Sequence, residues 1–365
     1  MARTPDVPVT PAVLRWARED TGLSVEEVAK RAGVKLAVAA AWETGDAHPT
    51  LAQLRAVADA LGRPVAFFLT PRPPDAHATL PPDFRSRTRT PSPALRREIR
   101  TAHERREFFR EIEEAANTWD PPSRLEPVAV RDWLGVSVAE IRETPDPAAA
   151  LKVWIHAVEE RGALVFQMSR IEPKECRGFS LSDQDCPVIV LNGADAPQAR
   201  SFTLLHEVAH LLDREGGMCL LQDEVAVERR CNRLASAVLM PQAALSETQA
   251  GPAGFELVDV VVRSFRVSPQ AAAFRLRDLN LISQALVDEV LDRTSEAARR
   301  AETREQTGGP AHHVLARRNL GDRYLSAVLD ALHTEAITVT DATYLLGERV
   351  GTIERFERTL AGSAQ

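Results

Sequence analysis

The chain has 365 residues, 44 % of them hydrophobic and 27 % charged, with a net charge of −7. That length allows two or three domains and a sizeable core, while 18 glycines and 24 prolines exclude a collagen-like or wholly disordered chain. No stretch approaches the roughly 18 uninterrupted apolar residues of a membrane span, and no apolar run follows Arg3 to form a secretory signal. The four cysteines (Cys176, Cys186, Cys219, Cys231) form no Cys-x-x-Cys pair and are no disulfide framework, so a cytoplasmic protein with reduced thiols is expected. The negative charge excludes non-specific coating of nucleic acid by the whole molecule, though not a local DNA-binding face.

Residues 11–69 read as a series of short helices. Val13, Leu14 and Ala17 repeat at helical spacing, and Ser24 followed by Glu27 is a capping box that opens a second helix. Gly33 breaks that helix, a third starts near Lys35 and ends before Gly45, and Thr50 caps a fourth that Gly62 stops. Two short helices around a glycine turn, packed among others, make a helix-turn-helix layout. Pro71, Pro73, Pro74, Pro81, Pro82, Pro91 and Pro93 then mark a linker, followed by a charged helix over about 93–119 that reads as a bridge or a solvated spacer. From about 126 an α/β region begins, with strands at 163–167, 178–181 and 187–191. Apolar helices over about 197–213 and 222–240 follow, and the remainder is helical, with a break at 308–310. The fold class expected is mainly α with a small β-sheet (α+β).

The sharpest chemical signal is His206-Glu207-Val208-Ala209-His210. Residues four apart on a helix lie on one face with Cβ atoms about 6 Å apart, so both imidazoles reach one metal ion. Glu207 lies beside them to take a proton from an attacking water. A tetrahedral zinc site needs a third protein ligand. The next helix offers Glu228, eighteen residues on, with Glu224 the competitor one turn earlier and Asp223 less suited. The flanking Phe202, Leu204, Leu205, Val208, Leu211 and Leu212 predict a buried helix, where polar side chains need partners.

Three segments carry a resemblance. They are the strand Val188, Ile189, Val190 and Leu191 ending in Asn192, the Phe202-Thr203-Leu204-Leu205-His206-Glu207 helix, and Glu228 followed by Asn232, Ala235 and Leu239-Met240-Pro241. Together they resemble the ImmA/IrrE family of bacterial metallopeptidases over roughly 126–283, with Leu234 standing where many members have Phe. The resemblance implies a gluzincin-like domain in which His206, His210 and Glu228 hold one zinc ion, manganese being the alternative, and Glu207 is the catalytic base. It also implies cleavage of a protein substrate, a transcriptional repressor. The strand 188–191 is expected to align an extended substrate by edge pairing. Arg177 and Arg200 are possible oxyanion donors, and Asp213 a partner for an imidazole. Cys231 reads as a buried inert thiol, and His312-His313 as a surface pair.

Residues 11–69 resemble an XRE-type helix-turn-helix domain of five helices, through Ala29, Gly33, Trp42-Glu43, Gly45, Pro49-Thr50 and Gln53-Leu54. Its third helix offers only Lys35 as a base-reading side chain, with Arg31 nearby. Residues 11–70 are neutral overall, with seven basic and seven acidic side chains, whereas 72–110 holds ten arginines against five acids. Four regions are expected: a helix-turn-helix domain (1–71), a linker and bridging helix (72–125), a metallopeptidase domain (126–285) and a C-terminal helical segment (286–365). The function expected is a regulatory zinc metalloendopeptidase that docks on DNA or a partner, in a chain able to form a homodimer and without a membrane partner. The alternative is a DNA-binding regulator or antitoxin-like protein whose peptidase-like domain binds a partner or ligand without cutting.

Overall fold

The computed structural model describes residues 5–74, 91–113, 119–182, 186–215, 224–248, 253–302 and 311–363. Pro81, Pro82, Cys219, Asp223 and the 308–310 break lie outside them. The chain forms two compact units, Met1–Glu104 and Arg105–Gln365.

In the first unit, α1 (Pro11–Thr21), α2 (Val25–Ala32), α3 (Leu36–Thr44) and α4 (Leu51–Leu61) precede a 3-10 turn at Val65–Leu69. Local chemistry sets the boundaries. Ser24 and Glu27 complete a reciprocal capping box at α2, and Thr50 and Gln53 do the same at α4. Gly33, at φ 69°, turns the chain from α2 into α3. Leu14, Val28, Trp42, Leu54, Leu61 and Phe68 close the core. Glu43 accepts from Arg18 Nε (2.7 Å) and Nη2 (3.0 Å), an ion pair whose side chains are 15 % and 9 % exposed.

The charged helix α5 (Pro93–Ile112) is not a solvated spacer. Within the first unit Arg97 and Arg100 donate to Ala60 O (2.9 Å) and Gly62 O (2.8 Å), carbonyls that α4 leaves unsatisfied at its end. Within the second unit Arg105 stacks over Phe166, and Phe108 meets Tyr324 edge-on.

The second unit opens with α6 (Pro127–Leu134), α7 (Val138–Glu143) and α8 (Pro147–Glu160), then a three-stranded sheet of β1 (Leu164–Met168), β2 (Gly178–Leu181) and β3 (Val188–Asn192). The order is β1-β3-β2, with β1 parallel and β2 antiparallel to β3. β3 is therefore central and its backbone is engaged on both sides. That corrects the edge-pairing role expected of Val188, Ile189, Val190 and Leu191, which are all buried. The helices α9 (Pro197–Glu215), α10 (Glu224–Leu239), α11 (Gln242–Thr248), α12 (Gly254–Phe265), α13 (Pro269–Asp278) and α14 (Gln284–Glu302) follow. One core joins α8, β1, β3, α9, α10 and α12 to α14 through Trp154, Val165, Ile189, Leu205, Val208, Val238, Val261, Leu276 and Val287.

The C-terminal helices are α15 (His312–Leu320), α16 (Asp322–His333), α17 (Val339–Leu346) and α18 (Val350–Ser363). They close on β1: Phe166 meets Tyr324 edge-on, and Arg323 donates to Glu159 O (2.7 Å). Gly321 lies so near the strand that an added Cβ would sit 2.5 Å from Val165 O.

Candidate metal centre

Helix α9 carries His206, Glu207 and His210, and α10 packs along it to present Glu228. The two Nε2 atoms are 3.0 Å apart, His206 Nε2 is 3.5 Å from one Glu228 oxygen, and His210 Nε2 is 3.4 Å from the other. Two imidazole lone pairs at 3.0 Å repel unless a proton or another cation lies between them. Donors at the corners of a tetrahedron with zinc–nitrogen bonds of about 2.0–2.1 Å stand about 3.3 Å apart, so the three separations match a single small cation. Among the described residues one group of three such donors lies within mutual reach, and it is this one.

The site is closed on one side and open on the other. His210 and His206 expose 5 % and 15 % of their side chains, but Glu228 exposes 47 %. Glu207 is buried too. Burial works against the charged form of His210, yet hydrogen bonds with Cys231 and Glu228 and the charge of Glu207 outweigh it and push the imidazole up to about 11. The acceptors gathered around His210 thus favour a positive charge at this point.

The other expected residues fall elsewhere. Asp213 accepts from Arg230 of α10 (2.8 Å), clipping the two helices together. Arg200 is buried and donates to Gln167 of β1 (2.5 Å), while Arg177 pairs with Asp195 (3.5 Å). His312 pairs with Glu348 (2.9 Å), as a surface histidine does. The side chain of Glu224 lies outside what the structure describes. Lys35 precedes α3 as its N-cap residue, and Arg31 ends α2; both are exposed. Two contacts were not foreseen. Phe202 stacks on His206 (6.4 Å, 25°), as its spacing of four residues allows, and Cys231, a buried free thiol, is among the groups that favour the charged form of His210.

These features define a class: a helix-turn-helix protein with a metallopeptidase-like domain. Residues 158–277 match the family described as an IrrE N-terminal-like domain, and residues 14–68 match the helix-turn-helix family. The chain thus joins an IrrE-like peptidase domain to an N-terminal helix-turn-helix domain of the XRE type. The radiation response metalloprotease IrrE of Deinococcus radiodurans is 32 % identical over 107 residues, which are 26 % of this chain and 32 % of that protein. The match spans about a third of the length of that curated relative. The crystal structure of Bacillus thuringiensis PlcR with the peptide PapR7 and DNA covers 82 % of this chain and all of its own, at 10 % identity and a TM-score of 0.16. A likeness that low carries no argument. No helix of the described residues is long and apolar enough to cross a membrane.

Proposed function

We propose that the protein is a regulatory zinc-dependent metalloendopeptidase whose substrate is a protein, a transcriptional repressor, and whose helix-turn-helix domain docks it on DNA. The observation that carries this reading is the set of three donor separations, 3.0, 3.4 and 3.5 Å, with Glu207 next to His206 on the same helix. In the proposal His206, His210 and Glu228 hold one zinc ion, with manganese the alternative. When bound, the ion supplies Lewis acidity that polarises the scissile carbonyl and acidifies the attacking water.

The chain's own residues do the rest. Glu207 accepts the proton of the attacking water and returns it to the leaving nitrogen. Phe202 holds the His206 ring by stacking. The half-exposed Glu228 marks the side from which a peptide enters. The regions 1–71, 72–125, 126–285 and 286–365 are proposed as the working parts, and homodimerisation is compatible with them.

The test is zinc stoichiometry by native mass spectrometry on the full chain, wild type beside Glu228→Ala and Glu224→Ala, with Glu207→Gln assayed for function. The expected result is about one zinc per chain, weakened by Glu228→Ala alone, with Glu207→Gln keeping metal and losing at least about a hundredfold in cleavage. A chain that refuses zinc overturns the reading. Zinc binding with full function in Glu207→Gln replaces it with a regulator that binds without cutting.

A further inference from the structure

The first turn of α3 is apolar where it meets water. Leu36 is 46 % and Val38 39 % exposed, Ala37 is exposed between them, and Ala40 and Ala41 follow half-buried. Ala39 and Trp42 face the core. Thr44, the last residue of the helix, is its first after Lys35 that could hydrogen-bond a base and stay exposed. In a helix-turn-helix domain the N-terminal end of this helix enters the major groove. Beyond Lys35 at the cap, that end has no side chain to read donors and acceptors with.

It is nonetheless framed by charge. Lys30 and Arg31 in the last turn of α2 and Lys35 at the start of α3 are exposed, and none has an ion-pair partner among the described residues. Other cations of the unit are engaged, Arg15 and Arg18 with Glu43 and Arg63 with Asp20. An apolar tip flanked along the chain by three exposed cations that form no ion pair among the described residues complements a surface with apolar knobs between negative charges. The major groove has that character at thymine, whose C5-methyl group stands between two phosphate chains. A G·C pair has no such methyl, and aliphatic side chains packed on it would leave its polar groups unsatisfied.

We propose that α3 reads DNA through the C5-methyl groups of thymine, with Leu36, Ala37 and Val38 as the reading side chains and Lys30, Arg31 and Lys35 on phosphates. The proposal rests on the reading of this domain as DNA-binding. Each methyl buried against an aliphatic side chain is worth about fourfold in affinity. Three phosphate contacts give a log–log salt slope of about −3 per docked helix.

The test uses the full chain and a duplex selected from a random DNA library. The selected duplex is then remade with deoxyuridine in place of every thymine, which removes the methyl and keeps every hydrogen-bonding group. The expected result is thymine-rich selected sites and at least about tenfold weaker binding of the deoxyuridine duplex, as two lost methyls require. Leu36→Ala, at an exposed position that does not support the core, weakens binding to the thymine duplex and leaves binding to the deoxyuridine duplex unchanged. Lys35→Ala weakens both alike. Equal binding of the two duplexes overturns the methyl reading and leaves the DNA-binding reading standing. A library that yields no bound duplex overturns both, and the apolar tip then belongs to a protein partner.

Discussion

Replacing Glu159 with glutamine should change how the second unit's stability depends on pH. Glu159, in the last turn of α8, is 8 % exposed, with its Oε1 buried and without a hydrogen-bond partner among the described residues, and the backbone of Val165 on β1 and Arg323 at the start of α16 only partly offsets that burial. Burial, reinforced by the charge of Asp322 and opposed by Arg323, pushes its pKa from 4.5 up to about 8. The folded chain therefore keeps a proton that the unfolded chain releases between about pH 4.5 and pH 8. The folded pKa is the higher one, so this contribution is full below pH 4.5 and is lost as pH rises toward 8. A gap of about 3.5 pH units, at about 1.36 kcal/mol each, makes the loss about 5 kcal/mol at most. Glutamine keeps the shape and the acceptor oxygen without the charge. Urea unfolding of the full chain, with hydrogen exchange in α16 as the local reporter, should find variant and wild type equal near pH 4.5. At pH 8 the variant should be more stable by up to about 5 kcal/mol. A difference that does not vary with pH, or a variant less stable at pH 8, would refute the reasoning.

In the first unit, Glu43→Gln leaves the guanidinium of Arg18 largely buried without its bidentate partner. It should cost about 3 kcal/mol in thermal unfolding of that unit while zinc binding in the second stays unchanged. Zinc at a hundred times its dissociation constant should stabilise the folded chain by about 2.7 kcal/mol; chelation should remove the gain, and His206→Ala should show none. Asp213→Asn breaks the clip to Arg230, whose side chains are 13 % and 37 % exposed, so stability without metal should change by no more than about 1 kcal/mol. Zinc affinity should nevertheless fall about ten- to a hundredfold, because the clip holds α10, and with it Glu228, in register against α9. Unchanged affinity in isothermal titration would rule out that role.

What could be read from the sequence was what depends on neighbours a few residues apart. The boxes Ser24–Glu27 and Thr50–Gln53 are complete within four residues, and so is the pairing of His206 with His210. Glu228 was legible through the need for a third ligand together with the family resemblance. Strand order was not, because it turns on β1 passing over its sequence neighbour β2 to pair with the more distant β3, Leu164 opposite Val188. A signal existed all the same: Val188-Ile189-Val190-Leu191 is apolar at every position, the pattern of a strand covered on both faces rather than an exposed edge. The charged helix α5 left bridge and spacer undecided for another reason. Arginine stems bury readily, and Arg97, Arg100 and Arg105 spend their charges on carbonyls and aromatic faces instead of water. Nothing near Glu159 in sequence announces its burial, since the covering residues Gly321 and Arg323 come about 160 positions later.

The gradient of exposure across the metal centre explains how one helix pair serves both stability and chemistry. Glu207 and His210 are closed off by the core that Leu205, Val208 and Val238 build, so their positions cost no ordering when a substrate arrives. Glu228 comes from α10, and it is the donor left half in water. Its helix is held against α9 by Val238 in the shared core and by the Asp213–Arg230 ion pair, so the register of α10 decides whether three donors meet or only two. For the regulatory peptidase proposed above, that division holds Glu207 and the histidine pair in the core and leaves the third ligand as the least buried of the set.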